Sequence, residues 1–142
     1  VYDGTNHDPR YKPSPIQKKL MDEGLLGRKS GKGYFDYSEN AVNPEPNKNK
    51  NFGQQIFNRT LAMLINAAVD ALHLNIATRD DIDIAMTTGV NYPKGLLKWA
   101  DDIGLNAPLC LLKDFYTQSG DDGYIASPLL EKMVEDNSTF YA

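Results

Sequence analysis

With a single cysteine, Cys110, the chain can form no intramolecular disulfide and no multi-cysteine metal site. Its neighbours Leu109, Leu111 and Leu112 point to a buried, unreactive thiol. Histidine is almost as scarce, with only His7 and His73. No apolar run approaches the ~20 residues needed to span a bilayer, so no membrane segment is expected. No signal peptide opens the chain, and the expected setting is cytoplasmic. There is no G-x-G-x-x-G and no alternation of strand and helix, hence no dinucleotide-binding unit. No surplus of basic residues exists either, since 15 Lys and Arg face 19 Asp and Glu for a net charge of −4. A nucleic-acid partner would need a concentrated basic face and is not expected.

What is present is ordinary for a soluble globular protein: 142 residues, 41% hydrophobic and 24% charged. That length suits one domain, or one domain with an appendage. The first residue is Val1 rather than Met, in a run without periodicity, and we expect a piece of something longer.

The most informative stretch runs from Ala77 to Gly104. Thr78 with Asp81 three residues on reads as a capped helix start. Ile82, Ala85 and Met86 then share one apolar stripe. Gly89 is expected to end that helix in the left-handed conformation. Tyr92-Pro93-Lys94-Gly95 is expected to turn the chain, with glycine admitting positive φ. Leu96, Leu97, Trp99, Ala100 and Ile103 form the face of a second helix, closed by Gly104. Before this stretch, the apolar spacing from Phe52 to about Leu74 predicts one long amphipathic helix. After it, Asn106 is expected to cap a helix that Pro108 opens and that runs to Gly120. An acidic, flexible loop over residues 120–126 is expected next. Ser127-Pro128 then starts a last helix through Leu129, Leu130, Met133 and Val134.

The beginning of the chain resembles its end. DPRYKPSPIQKKLMDEG (Asp8 to Gly24) aligns without gaps to DDGYIASPLLEKMVEDN (Asp121 to Asn137), with five identities and matched apolar and acidic positions. Ser14-Pro15-Ile16-Gln17 gives the first copy its helix start. This favours duplication. Residues 1–37 then read as the tail of one helical unit and residues 51–142 as a second. Between them 38–50, with two prolines and four asparagines, reads as a linker.

Within the organising stretch, DIDIAM-x2-GVNYPKG-x3-WADDIG resembles the C-terminal helical domain of the 3-hydroxyacyl-CoA dehydrogenases, of the 3-hydroxybutyryl-CoA kind. One departure is Leu96, where the family usually has proline. GRKSGKGYF (Gly27 to Phe35) is similar to the run that closes the same domain. FNRTLAMLINAA (Phe57 to Ala68) resembles the family's NR-x-L-x4-NEA helix. The resemblance implies an all-α, multi-helix domain, and a parent enzyme that oxidises 3-hydroxyacyl-CoA with NAD in fatty-acid metabolism. It also implies an acyl-CoA substrate and a homodimer. The catalytic His–Glu pair would lie in a nucleotide-binding domain ahead of Val1, so no catalytic, cofactor-binding or metal-ligating residue is assigned here. Asn58 falls on the family's substrate-side asparagine. A helix-face amide is the competing reading for it, and Ala67, where the family often has Glu, suggests a copy with decayed function.

Other candidates read as structural. GRKSGKG misses a phosphate loop, with three residues rather than four before Gly31-Lys32 and Gly33 at the Ser/Thr position. Arg28, Lys29 and Lys32 then form a solvated basic loop. Asp80, Asp81 and Asp83 are explained by a helix start, lacking the glycine and terminal Glu of a calcium loop. His73 ends the long helix, where its charge would suit the dipole. A second class of function stays open: a helical module that dimerises without ligand.

Overall fold

The computed structural model describes residues 1–141. They form two compact units, Val1–Lys48 and Asn49 onward. Six α-helices are present among the described residues: α1 (Pro15–Asp22), α2 (Lys50–His73), α3 (Arg79–Ile84), α4 (Leu96–Ile103), α5 (Asn106–Ser119) and α6 (Pro128–Glu135). No strand occurs among them. None of the helices is long and apolar enough to cross a membrane.

In the second unit, α2 is the axis against which α3, α4, α5 and α6 pack. Asn49 caps it by accepting from the Phe52 N–H at 3.1 Å. Its buried stripe is Leu61, Ala62, Ile65, Ala68 and Val69, at helical spacing. Onto this stripe fall Leu97 and Ala100 of α4, Leu109 and Leu112 of α5, and Leu130 of α6. The first turns of α2 have no such cover: Phe52 is 48% and Ile56 52% exposed.

The corner between α3 and α4 departs from the sequence expectation. Thr78 does cap α3, its Oγ1 accepting from Asp81 N and donating to Asp81 Oδ2 at 2.6 Å. Gly89, however, does not take a positive φ. The helix widens into a π turn over Ala85–Gly89, and Asn91 holds the left-handed position at φ 58°. Gly95 is not left-handed either, with φ −63° and ψ 149°. A Cβ there would sit 2.0 Å from Asp83 Cγ, so glycine is required by close approach rather than by φ.

Three further expectations change. Cys110 is exposed, because the α5 register sends Leu109 and Leu112 inward and turns residue 110 about 100° away. Asn106 is the first helical residue of α5, behind Leu105 at the cap position, and no side chain caps that end. The loop expected to be flexible holds a 3-10 turn, Asp122–Tyr124, whose Tyr124 is 4% exposed.

In the first unit none of the described residues is classed as buried. Its GRKSGKG loop is closed on itself. Gly27 N–H donates to Lys32 C=O at 2.9 Å, and Ser30 Oγ accepts from Leu26 N–H at 2.8 Å. The N–H groups of Gly27, Ser30, Gly31 and Gly33 are thus spent on carbonyls of the loop and of Phe35 just beyond it.

The two similar segments share several backbone hydrogen bonds as well as residues, although Ser14 Oγ accepts from Gln17 N–H at 3.1 Å while Ser127 makes no such cap. Tyr11 N–H to Asp8 C=O matches Tyr124 N–H to Asp121 C=O, both 3.0 Å. Lys18 to Ser14 matches Glu131 to Ser127, at 3.0 and 3.1 Å. At the helix exits, Leu25 to Leu20 (2.8 Å) matches Ser138 to Met133 (2.9 Å). Gly24 and Asn137, aligned with one another, both adopt the left-handed conformation, at φ 72° and 49°.

Candidate functional site

Asn58, the one residue singled out for substrate contact, stands on the exposed part of α2. Its Oδ1 accepts from Gln54 Nε2 at 2.8 Å, one turn back on the same helix. Beside both amides lies a cleft of about 270 Å³, walled by Phe57 and Leu61 of α2, Trp99 and Ile103 of α4, and Pro108 and Leu111 of α5. The Phe57 and Trp99 rings meet at 6.0 Å and 51°. None of the residues lining the cleft is titratable. Such a cleft can hold an apolar group and present two amides to it. It offers no acid, base or nucleophile.

Charge gathers near Trp99 instead. Lys94 Nζ stands 6.0 Å from the ring centroid and pairs with Asp102, which also receives Lys98 at 3.2 Å. The hydrogen bonds from Lys94 and then Lys98 hold the Asp102 carboxyl below its ordinary range.

Several other polar groups of the second unit hold the backbone. Asp83 Oδ1 accepts from Leu97 N–H and Oδ2 from Lys98 N–H, both at 2.9 Å, which satisfies the start of α4. Tyr141 Oη donates to the same Oδ2 at 2.9 Å. Asp101 accepts from Phe140 N–H at 2.9 Å and from Tyr141 N–H at 2.8 Å. Arg79 donates to Phe140 C=O at 2.8 Å and covers the Tyr141 ring at 4.2 Å. Burial, then the hydrogen bond to Asp83, raises the Tyr141 phenol from 10.0 to about 12. Asn66 is 7% exposed and bridges the chain before α6, with Nδ2 donating to Ile125 C=O and Oδ1 accepting from Ser127 N–H, each at 2.8 Å.

His7 is exposed and lies 3.4 Å from Asp3, and His73 is exposed at the end of α2. In the basic loop Lys32 pairs with Asp36 at 3.8 Å and Arg28 lies over Tyr37 at 5.3 Å. Among the described residues no cluster of His, Cys, Asp or Glu could hold a metal ion. Asp81 pairs with Thr78, and Asp83 serves α4 rather than its own helix start. Sequence reasoning missed Asp83, Asp101 and Arg79 as a set, since their partners are backbone groups up to 61 residues away.

The family model described as 3-hydroxyacyl-CoA dehydrogenase, C-terminal domain, matches residues 56–139. The chain belongs to this family. It is 35% identical over 133 residues to a 3-hydroxybutyryl-CoA dehydrogenase of Clostridioides difficile, covering 89% of this chain and 46% of that protein. It is 43% identical over 74 residues to a 3-hydroxyadipyl-CoA dehydrogenase of Escherichia coli K12, covering 52% of this chain and 16% of that protein. The crystal structure of a 3-hydroxybutyryl-CoA dehydrogenase from Escherichia coli K12 shares its fold at a TM-score of 0.73. That match has 23% identity and covers 96% of this chain and 47% of the other. The chain thus spans less than half the length of these relatives, and its all-α architecture is that of the family's C-terminal domain.

Proposed function

We propose that these residues are the helical C-terminal portion of an NAD-dependent 3-hydroxyacyl-CoA dehydrogenase, which oxidises 3-hydroxyacyl-CoA to 3-oxoacyl-CoA. The carrying observation is the family match over residues 56–139, joined to a cleft lined without a titratable group. In this reading the chain walls the acyl-CoA cleft and makes subunit contacts, while reaction chemistry belongs to a nucleotide-binding half. NAD supplies the hydride acceptor in that half. The described residues, without strand or glycine fingerprint, do not fit a dinucleotide, and no step through it falls to them. Residues 1–37 are the tail of a first helical copy, residues 38–50 a linker, and residues 51–142 the second copy. Asn58 keeps the substrate-side position only as a cleft-lip amide, and its bond to Gln54 supports a helix-face role. The exposed Phe52 and Ile56 support a homodimer contact along the first turns of α2.

Two measurements test this. The chain alone, with acetoacetyl-CoA and NADH, gives no turnover, and turnover would overturn the division of labour. Added acetoacetyl-CoA raises the melting temperature, since a ligand of the folded state stabilises it. An unchanged melting temperature together with a dimer by light scattering would instead favour a ligand-free association module.

A further inference from the structure

Helices α1 and α6 both start at a Ser-Pro pair, and the two serine hydroxyls are used differently. Ser14 Oγ accepts from Gln17 N–H at 3.1 Å and closes the first turn of α1 directly. Ser127 begins α6 without such a bond. It is 1% exposed, and its Oγ has no hydrogen-bond partner among the described residues. Burying an unpaired hydroxyl is costly, and native interiors rarely do so. Two other groups of the same junction have capacity to spare. Leu130 N–H is the amide that a capping Ser127 would satisfy. Leu130 is fully buried, and no acceptor takes its N–H among the described residues. Asn66 Oδ1 accepts from Ser127 N–H at 2.8 Å, and a carbonyl oxygen has a second lone pair.

These groups ask for a small neutral partner. An anion would suit a helix start, but burying one without a counter-charge costs far more than burying a neutral group. Lys113, the cation facing α6, is already paired with Glu131 at 2.9 Å. An apolar group would leave both the hydroxyl and the amide unpaired. We propose that one internal water molecule is a structural ligand of this junction, held by Ser127 and Leu130 at the start of α6 and by Asn66 of α2. The water accepts from Leu130 N–H and Ser127 Oγ–H and donates to Asn66 Oδ1, about the three bonds usual for a buried water. Asn66, which fixes Ile125 and Ser127 directly, thereby also reaches the first turn of α6. The start of α1 needs no such water, because Ser14 caps its own helix. The inference is independent of acyl-CoA binding, so a failed ligand titration leaves it intact.

Oxygen-17 magnetic relaxation dispersion on the full chain counts waters that stay bound longer than the molecule tumbles. The Ser127→Ala chain should hold one fewer than the parent, and the Ser14→Ala chain the same number. Equal counts for Ser127→Ala and the parent would overturn the proposal. Urea unfolding gives a second readout: Ser127→Ala should lower the folding equilibrium constant by roughly fivefold, the loss of a satisfied hydroxyl. An unchanged or higher constant would mean that the hydroxyl is unpaired in solution, and the proposal would fail. A crystal structure of the chain should show density within hydrogen-bond distance of Ser127 Oγ, Leu130 N and Asn66 Oδ1. Ser127 Oγ found accepting directly from Leu130 N–H, as Ser14 does from Gln17, would overturn the proposal whatever the stability loss.

Discussion

Replacing Gly95 by alanine should be among the most damaging small substitutions in this chain, although the backbone gives no warning of it. At φ −63° and ψ 149° any residue is at ease. An argument from conformational freedom alone therefore predicts a gain of about 0.4–1 kcal/mol through the unfolded state. The structure predicts the reverse. The new Cβ would lie 2.0 Å from Asp83 Cγ and 2.3 Å from Asp83 Cβ. Asp83 is fixed on α3 and must swing away, releasing Leu97 N–H, Lys98 N–H and Tyr141 Oη. Hydrogen bonds to a charged acceptor contribute about 1.5–3 kcal/mol each, so losing at least two of these three, less the unfolded-state gain, leaves a net cost of about 3–5 kcal/mol. For a unit of this size that corresponds to a melting temperature lower by roughly 15–25 °C. Circular dichroism melts with urea titration would measure it. A cycle with Asp83 isolates the cause. Asp83→Ala keeps the offending Cβ and should not rescue Gly95→Ala. Asp83→Gly removes it, and in that background Gly95→Ala should be nearly neutral. A Gly95→Ala protein within about 0.5 kcal/mol of the parent would refute the reasoning, that being the ordinary spread for harmless surface changes.

Asp101→Ala removes the acceptors of Phe140 and Tyr141 and should free the C-terminal strap, read as fast hydrogen exchange of those two amides. Asn66→Ala leaves the part-buried Ile125 carbonyl and the buried Ser127 N–H without their partner, for a loss of about 1–3 kcal/mol by urea unfolding. The Tyr141 phenol is raised when folded, so its contribution to stability is complete below pH 10 and disappears as the pH climbs toward about 12. Stability curves from pH 8 to 11.5 should show this decline, and Tyr141→Phe should lack that part of it. Cys110, being exposed, should react with Ellman's reagent in the native protein at a rate near that of a free thiol.

Much of the second unit could be read in advance because its signals are local. Helical spacing marks Leu61, Ile65 and Val69, and Thr78 with Asp81 marks a helix start three residues apart. Where prediction failed, the deciding contact was distant. Leu109, Leu111 and Leu112 suggested that Cys110 was buried, yet the register of α5 against α2 turns it outward. Gly95 looked like a turn glycine because nothing nearby in sequence announces the Asp83 carboxylate. The acidic run over residues 120–126 looked mobile because Asn66, which anchors it, lies 59 residues before Ile125. For the candidate site, Asn58 was locatable from the NR pair. That its amide is engaged by Gln54 depends on side-chain geometry.

The motif that carries the family resemblance reports the fold through residues committed to backbone. Asp83, Gly95 and Asp101 all fall within DIDIAM-x2-GVNYPKG-x3-WADDIG, and each acts on backbone. Asp83 satisfies the N-terminus of α4, Gly95 leaves room for that carboxylate, and Asp101 draws in Phe140 and Tyr141. Aspartates packed so closely would suggest acid–base work in a bare sequence. Asp83 and Asp101 instead have both carboxylate oxygens engaged by N–H groups, and neither lines the apolar cleft. Under the function proposed above, such a chain would position a substrate and support a neighbouring domain. To transfer a hydride it needs groups that face a ligand, and the cleft beside Asn58 presents amides and apolar walls alone.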